Sequence, residues 1–160
     1  MNYWLLKSEP SEFSIDDLEA SPKHETCWDG VRNYQARNFM RDAMAPGDLT
    51  FFYHSNCAEP GIAGIAQIVS TAYPDHTAFD PNDKHFDASS NPDDPRWYMV
   101  DIRFERKLAR PITLKELKCY KDDALDDLAL LRRGNRLSVM PVTAEQWNFI
   151  VELEQRKPID

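Results

Sequence analysis

Apolar and polar residues along this chain fall into short segments separated by turn residues. Tyr3-Trp4-Leu5-Leu6-Lys7 predicts a largely buried opening strand. Ser8-Glu9-Pro10 ends it, because proline lacks a donor and keeps Glu9 out of helical backbone. Ser14 predicts a helix N-cap, with Phe13 and Leu18 in the staple positions and Asp16 and Asp17 in the first turn. Two runs rich in β-formers follow, 48–55 and 62–69, and Gly64 inside the second predicts a bulge or a close approach. Residues 97–105 alternate, with Tyr98, Val100, Ile102 and Phe104 on one face. Asp101, on the other face, is expected to meet solvent or a structural partner. Capping boxes at Thr113–Glu116 and Thr143–Gln146 predict two further helices. Residues 122–133, acidic at the start and basic at the end, predict a third, closed by Gly134. Leu137–Met140 predicts a strand that stops at Pro141.

The chain is organised around residues 26–40. Asp29-Gly30 is a strong turn pair, because glycine accepts positive φ. Asn33 is the expected N-cap of a helix whose apolar positions are Ala36, Phe39, Met40, Ala43 and Met44, stopped by Pro46-Gly47. Trp28, Asn33, Tyr34 and Asn38, with Arg32 and Arg37, surround this turn. Such a set suits a planar polar ligand, and it equally suits a core with a solvated helix face.

Composition narrows the classes. At 160 residues and 42% hydrophobic, the chain 1–160 is expected to form a single domain with one core. No apolar run is long enough to cross a bilayer, so no membrane partner is expected. Three cysteines without a CxxC motif suit a reducing compartment, and a cytoplasmic location is expected. A net charge of -8 argues against indiscriminate gripping of duplex phosphates. It permits a local basic rim, for which Lys7, Arg32, Arg37, Arg41, Arg132, Arg133 and Arg136 are candidates. The acid concentrates in 75–94 and 122–127.

Little catalytic chemistry stands out. Cys27 or Cys57 with His24 or His54 could make a nucleophile pair, yet no third group orients it. His76, Asp80, Asp83, His85 and Asp87 lack the spacing of a metal site, and no phosphate-cradling glycine motif occurs. No metal and no cofactor is expected. What remains is an aromatic, amide and hydroxyl set: Trp28, Tyr34, Asn33, Ser8, Tyr53, His54, Ser55, Ser138 and Trp97. Such groups can stack on an extruded base and read its edge, or can fill a core.

Several motifs occur together and in order. They are Trp4-Leu5-Leu6-Lys7-Ser8-Glu9-Pro10, residues 28–39 beginning Trp28-Asp29-Gly30-Val31-Arg32-Asn33-Tyr34, Phe51-Phe52-Tyr53-His54-Ser55, and Pro60-Gly61-Ile62-Ala63-Gly64. Tyr73-Pro74-Asp75, Asp80-Pro81 and Arg136-Leu137-Ser138-Val139-Met140-Pro141 complete them. Over nearly the whole chain they resemble the EVE domain. The resemblance implies an α+β, PUA-like twisted β-barrel with peripheral helices. It further implies a non-enzymatic domain, similar to YTH domains, that holds a modified base of DNA or RNA. Carried over, the ligand-binding residues are Trp28, Asn33, Tyr34, His54, Ser55, Ser138 and Met140, with Lys7 and Ser8 at the edge. Trp28 is the expected stacking wall, Asn33 and Ser55 the readers, and Arg32 and Arg37 the residues that steer the backbone. The alternatives are a small-molecule or protein-interaction module using the same pocket, or a hydrolase using Cys27 or the acidic loop.

Overall fold

The computed structural model describes residues 1–158. Strand β1 (Tyr3–Ser8) lies inside the sheet, and its alternation divides the hydrophobic residues into two cores. Trp4 and Leu6 face one, and Leu5 faces the other. Strand β3 (Leu49–His54) repeats the division, with Phe52 on the first side and Phe51 and Tyr53 on the second. These near-continuous apolar runs follow from covering both faces of a strand.

The remaining elements are helix α1 (Ile15–Ala20), β2 (Glu25–Cys27), helix α2 (Tyr34–Asn38), β4 (Gly61–Ile68), β5 (Tyr73–Pro74), β6 (Tyr98–Met99), β7 (Asp101–Thr113), helix α3 (Leu114–Lys118), β8 (Val139–Val142) and helix α4 (Ala144–Leu153). The main sheet runs β2-β7-β4-β3-β1-β8, and β5 pairs with β6 apart from it. β1 is parallel to β3, so the crossover between them carries α1, β2 and α2. The other pairs are antiparallel. Register shifts at Phe52/Tyr53, Ile62/Gly64 and Ile65/Ala66 add local twist, and the sheet curls into a half-barrel. A Cβ on Gly64 would stand 2.6 Å from Ile15 Cδ1, which is how closely α1 packs on the strand. Helices α1 and α2 cover one face through Ile15, Leu18 and Ala36. Helices α3 and α4 cover the other through Leu117, Trp147, Ile150 and Leu153.

Helix caps form at the expected positions. Ser14 and Thr143 head reciprocal capping boxes, with Asp17 and Gln146 as their third-position partners. Thr113 accepts from Glu116 N–H, but the Glu116 carboxylate turns to Arg110 (2.7 Å) instead of returning to the cap. Asn33 caps α2 by accepting from Ala36 N–H at 2.9 Å.

Three segments depart from expectation. Residues 122–133 are not a helix: Asp127 takes φ +67°, and only Ala129–Leu131 makes a short 3-10 turn. Leu125, Leu128, Leu130 and Leu131 are all buried, which one face of a helix at the surface could not achieve. The helix begun at α2 widens into π-type pairing over Phe39–Ala43, closed by Met44 N–H on Phe39 O at 2.9 Å. Strand β8 starts later than expected and continues through Pro141. It lies at the sheet edge, where the missing donor costs no ladder bond.

The polar stretch 70–96 is built from Asx turns. Asp75, Asp80, Asp83, Asp87 and Asn91 each accept the N–H two residues on. Its Asp and Asn content is turn chemistry. Among the described residues no group of three or more His, Cys, Asp or Glu could hold a metal ion. Asp101 finds a structural partner, accepting from Tyr73 Oη at 2.5 Å.

Candidate functional site

At one end of the half-barrel, the end of β1, the chain leading into α1, the turn after β2 and residues 84–85 enclose a cleft of about 650 Å3. That size lies within the usual range for ligand pockets, about 300–1,000 Å3. Trp28 forms part of its wall. The Trp28 N–H donates to Val100 O at 2.7 Å, and the indole stands edge-on to Phe52 at 5.5 Å. The Asp29-Gly30 turn then leaves the sheet. Gly30 has φ +76°, and the His85 ring lies where a side chain would project, with Cε1 2.5 Å from a Cβ position.

A buried acid fixes this turn. Asp75 accepts from Gly30 N–H (2.8 Å), Arg32 Nη1 (3.0 Å) and both the N–H and hydroxyl of Thr77. Burial alone would push its carboxyl up. The donors from Thr77, Gly30 and Arg32 outweigh that and hold it below the usual carboxylate value. Arg32 also donates to His85 O from Nε and Nη2 (3.1 and 2.7 Å), so one guanidinium sets both the turn and the far wall. Across the cleft, Lys84 Nζ meets Glu12 Oε2 at 2.7 Å, an ion pair between two exposed lining residues.

The cleft's polar groups are unequal. Ser8 Oγ donates to Phe13 O at 2.6 Å and holds the entry to α1. Lys7 is half-buried, its ammonium 5.9 Å from the Tyr53 ring centroid, and burial pushes its pKa down. Asp29 is half-buried too. Burial, with Asp75 adding, pushes its carboxyl up. Cys27 also lines the cleft, and burial followed by Asp29 and Asp101 raises its thiol, which disfavours the nucleophilic thiolate. The cleft lining therefore combines Lys7 and Lys84, the carboxylates of Glu9, Glu12 and Asp29, and the apolar surfaces of Trp28, Phe13 and Val31.

Of the expected site residues, Lys7, Ser8, Trp28 and Ser138 meet here. The others stand apart, each held by local geometry. Asn33 is occupied as a cap. Tyr34 is exposed and stacks on Trp97 at 4.9 Å. His54 Nε2 accepts Ile15 N–H at 3.1 Å. The Ser55 N–H donates to Ser8 O at 2.9 Å. Met140 alternates into the opposite core and is fully buried. Arg32 is engaged as described. Arg37 donates to Arg96 O and Asn38 Oδ1 and lies over Tyr34. The sequence reading missed Asp29 as a site residue, along with Glu12, Phe13, Lys84 and His85. Asp29 had a signal, its place beside Trp28; His85 and Lys84 arrive from a distant loop and had none.

A curled mixed sheet with helices on both faces and a cleft at one end defines an α+β domain of PUA-like type. The chain belongs to the EVE domain family, which matches residues 2–153. It is 51% identical over 172 residues to thymocyte nuclear protein 1 of Homo sapiens, covering 98% of this chain and 76% of that protein. The crystal structure of human THYN1 protein in complex with 5-methylcytosine-containing DNA matches with a TM-score of 0.95 at 50% identity, covering 99% of this chain and 100% of that one. The YTH domain of Zygosaccharomyces rouxii MRB1, solved with N6-methyladenosine RNA, matches with a TM-score of 0.54 at 10% identity, over 99% of this chain and 87% of that one. That last likeness is one of fold.

The relatives from human, zebrafish and rat are all named as nuclear proteins, and this corrects the cytoplasmic expectation. That expectation rested on unpaired cysteines. The nucleus is as reducing as the cytoplasm, so thiol usage does not separate the two.

Proposed function

We propose that this domain binds nucleic acid without catalysis and accommodates one modified base in the Trp28 cleft, with 5-methylcytosine as the reference ligand. The observation that carries the reading is the cleft itself, lined by the Trp28 indole with Asp29 next to it and Lys7 at its β1 edge. The relative solved with 5-methylcytosine-containing DNA supports the choice of base. A cytosine presents an exocyclic amine that an aspartate accepts, and ring acceptors that a lysine can meet. The methyl group adds apolar contact against Trp28 and Phe13. The raised Cys27 thiol favours binding over covalent chemistry.

The test is fluorescence anisotropy with matched oligonucleotides that carry 5-methylcytosine, cytosine or thymine at one position. Wild type binds the 5-methylcytosine strand more tightly. Trp28→Leu loses about tenfold or more, since stacking on one aromatic is worth about 1–3 kcal/mol. Asp29→Asn keeps the fold and loses discrimination between 5-methylcytosine and thymine, which carry the same methyl group but opposite edge polarity. Equal affinity for all three strands, unchanged in both variants, would refute the proposal.

A further inference from the structure

The described cations divide sharply by partner. Arg32, Arg41, Lys84, Arg96, Arg103, Arg106, Lys107, Arg110 and Arg132 each meet a carboxylate. Lys7, Lys23, Arg37, Lys115, Lys118, Lys121, Arg133, Arg136, Arg156 and Lys157 make no such pair among the described residues. Five of these, Lys7, Lys118, Lys121, Arg133 and Arg136, gather around two neighbouring hollows. A hollow of about 390 Å3 is lined by Lys7, Lys118, Lys121 and Arg133. A second, of about 380 Å3, shares Arg133 and Asn135 with it and adds Arg136. Lys7 and the residues before β8 connect both to the Trp28 cleft, through Lys7 itself and through Ser138. Of the five, all except Lys7 are exposed.

On the other side the cleft is rimmed by Glu9, Glu12 and Asp29, and Lys84 is neutralised by Glu12. Arg132 lines both hollows as well, and it is paired with Asp127 at 3.0 Å. In a chain of net charge -8, an unpaired basic track leading out of one side of a ligand cleft is a local exception that demands a polyanion.

We infer that the strip from Lys7 through Lys118, Arg133 and Arg136 is the surface on which the phosphodiester backbone lies when a base enters the Trp28 cleft. The inference rests on the base-binding reading and gives it a direction. The strand runs along the α3-to-β8 side, away from the acidic segment 75–94, and stops short of the edge where Lys121 borders Asp122 and Asp126. The steering function expected of Arg32 and Arg37 falls instead to Arg133 and Arg136, because Arg32 is tied to Asp75 and Arg37 to Arg96 O and Asn38 Oδ1.

The experiment compares wild type with Arg133→Ala/Arg136→Ala. Both sites are exposed, so the fold is preserved. Affinity for methylated and unmethylated oligonucleotides is read by anisotropy across a NaCl series, with poly-glutamate as a competitor of the other polyanion class. The variant is expected to bind both strands more weakly. Its log K against log salt slope falls by about 1.5, since each phosphate contact contributes about 0.7–0.9. The methylated-to-unmethylated ratio stays unchanged. An unchanged slope in the variant overturns the strip, whatever the ratio does. A lost slope in a protein that never distinguishes the two strands sustains the strip and overturns the base reading. Displacement by poly-glutamate as efficient as by unlabelled oligonucleotide overturns the nucleic-acid assignment of the strip, and absence of saturable binding at low salt overturns both.

Discussion

Arg32 donates to Asp75 across 3.0 Å, and the carboxylate that it meets is fully buried. This pair fastens the turn after Trp28 to the loop that carries His85, because the same guanidinium reaches Thr77 Oγ1 and His85 O.

Arg32→Ala should therefore cost about 2–3 kcal/mol, since it leaves a buried carboxylate short of a cationic donor. Arg32→Lys should recover little, because an ammonium cannot span Asp75, Thr77 and His85 together. Urea unfolding monitored by circular dichroism measures both. The held-down Asp75 carboxyl adds a pH signature. Its contribution is present above the unfolded value of about 3.9 and disappears as pH falls through the lower folded value. A wild-type stability that is flat from neutral pH down to about pH 3 would contradict this account.

Gly30 is the second test of the turn. Its φ of +76° disfavours any L side chain, and a Cβ would meet the His85 ring. Gly30→Ala should cost about 1–2 kcal/mol for the left-handed backbone and should displace the imidazole. The expected readout is a lowered melting temperature together with a shifted His85 ring resonance in an otherwise native NMR spectrum. Gly134 shares the same φ but has nothing within 4 Å of a Cβ position, so Gly134→Ala should show the backbone cost without the second effect.

His54 gives the clearest acid dependence near neutrality. Its Nε2 accepts the Ile15 N–H at the start of α1, which requires a neutral ring. Burial lowers its pKa. Asp16 and Asp17 oppose the shift and Lys107 adds to it. The folded ring thus binds its proton less readily than the unfolded one. Stability should fall as pH drops below about 6.5, until the folded ring titrates as well. His54→Gln keeps an acceptor and should flatten the curve in that window, as measured by urea midpoints from pH 7.5 to about pH 5. An identical slope in the variant would assign the dependence elsewhere.

Much of the fold was legible because local chemistry determined it. The caps at Ser14, Asn33 and Thr143 depend on side chains reaching an N–H two or three residues away, and each formed as its motif required. The turn at Asp29-Gly30 and the close approach at Gly64 follow from glycine alone. Residues 122–133 were misread for the complementary reason. Their end charges satisfy a helix dipole, but four buried leucines on different sides are satisfied only by irregular backbone folded into the core.

The sequence by itself determined which residues could alternate through a sheet, where helices begin and that an indole stands beside a sharp turn. Those properties are set within a few residues of chain. Tertiary structure alone decided which side chains share the cleft. Lys7 reaches it from the end of β1 and Ser138 from the chain just before β8, while Met140, on β8 itself, is buried in the other core. It alone decided that Arg32 is an internal strut and that Arg133 and Arg136 stay unpaired. A cation's role depends on which carboxylate comes within about 4 Å, and for Arg32 that distance is created by a chain crossing of 43 residues to Asp75.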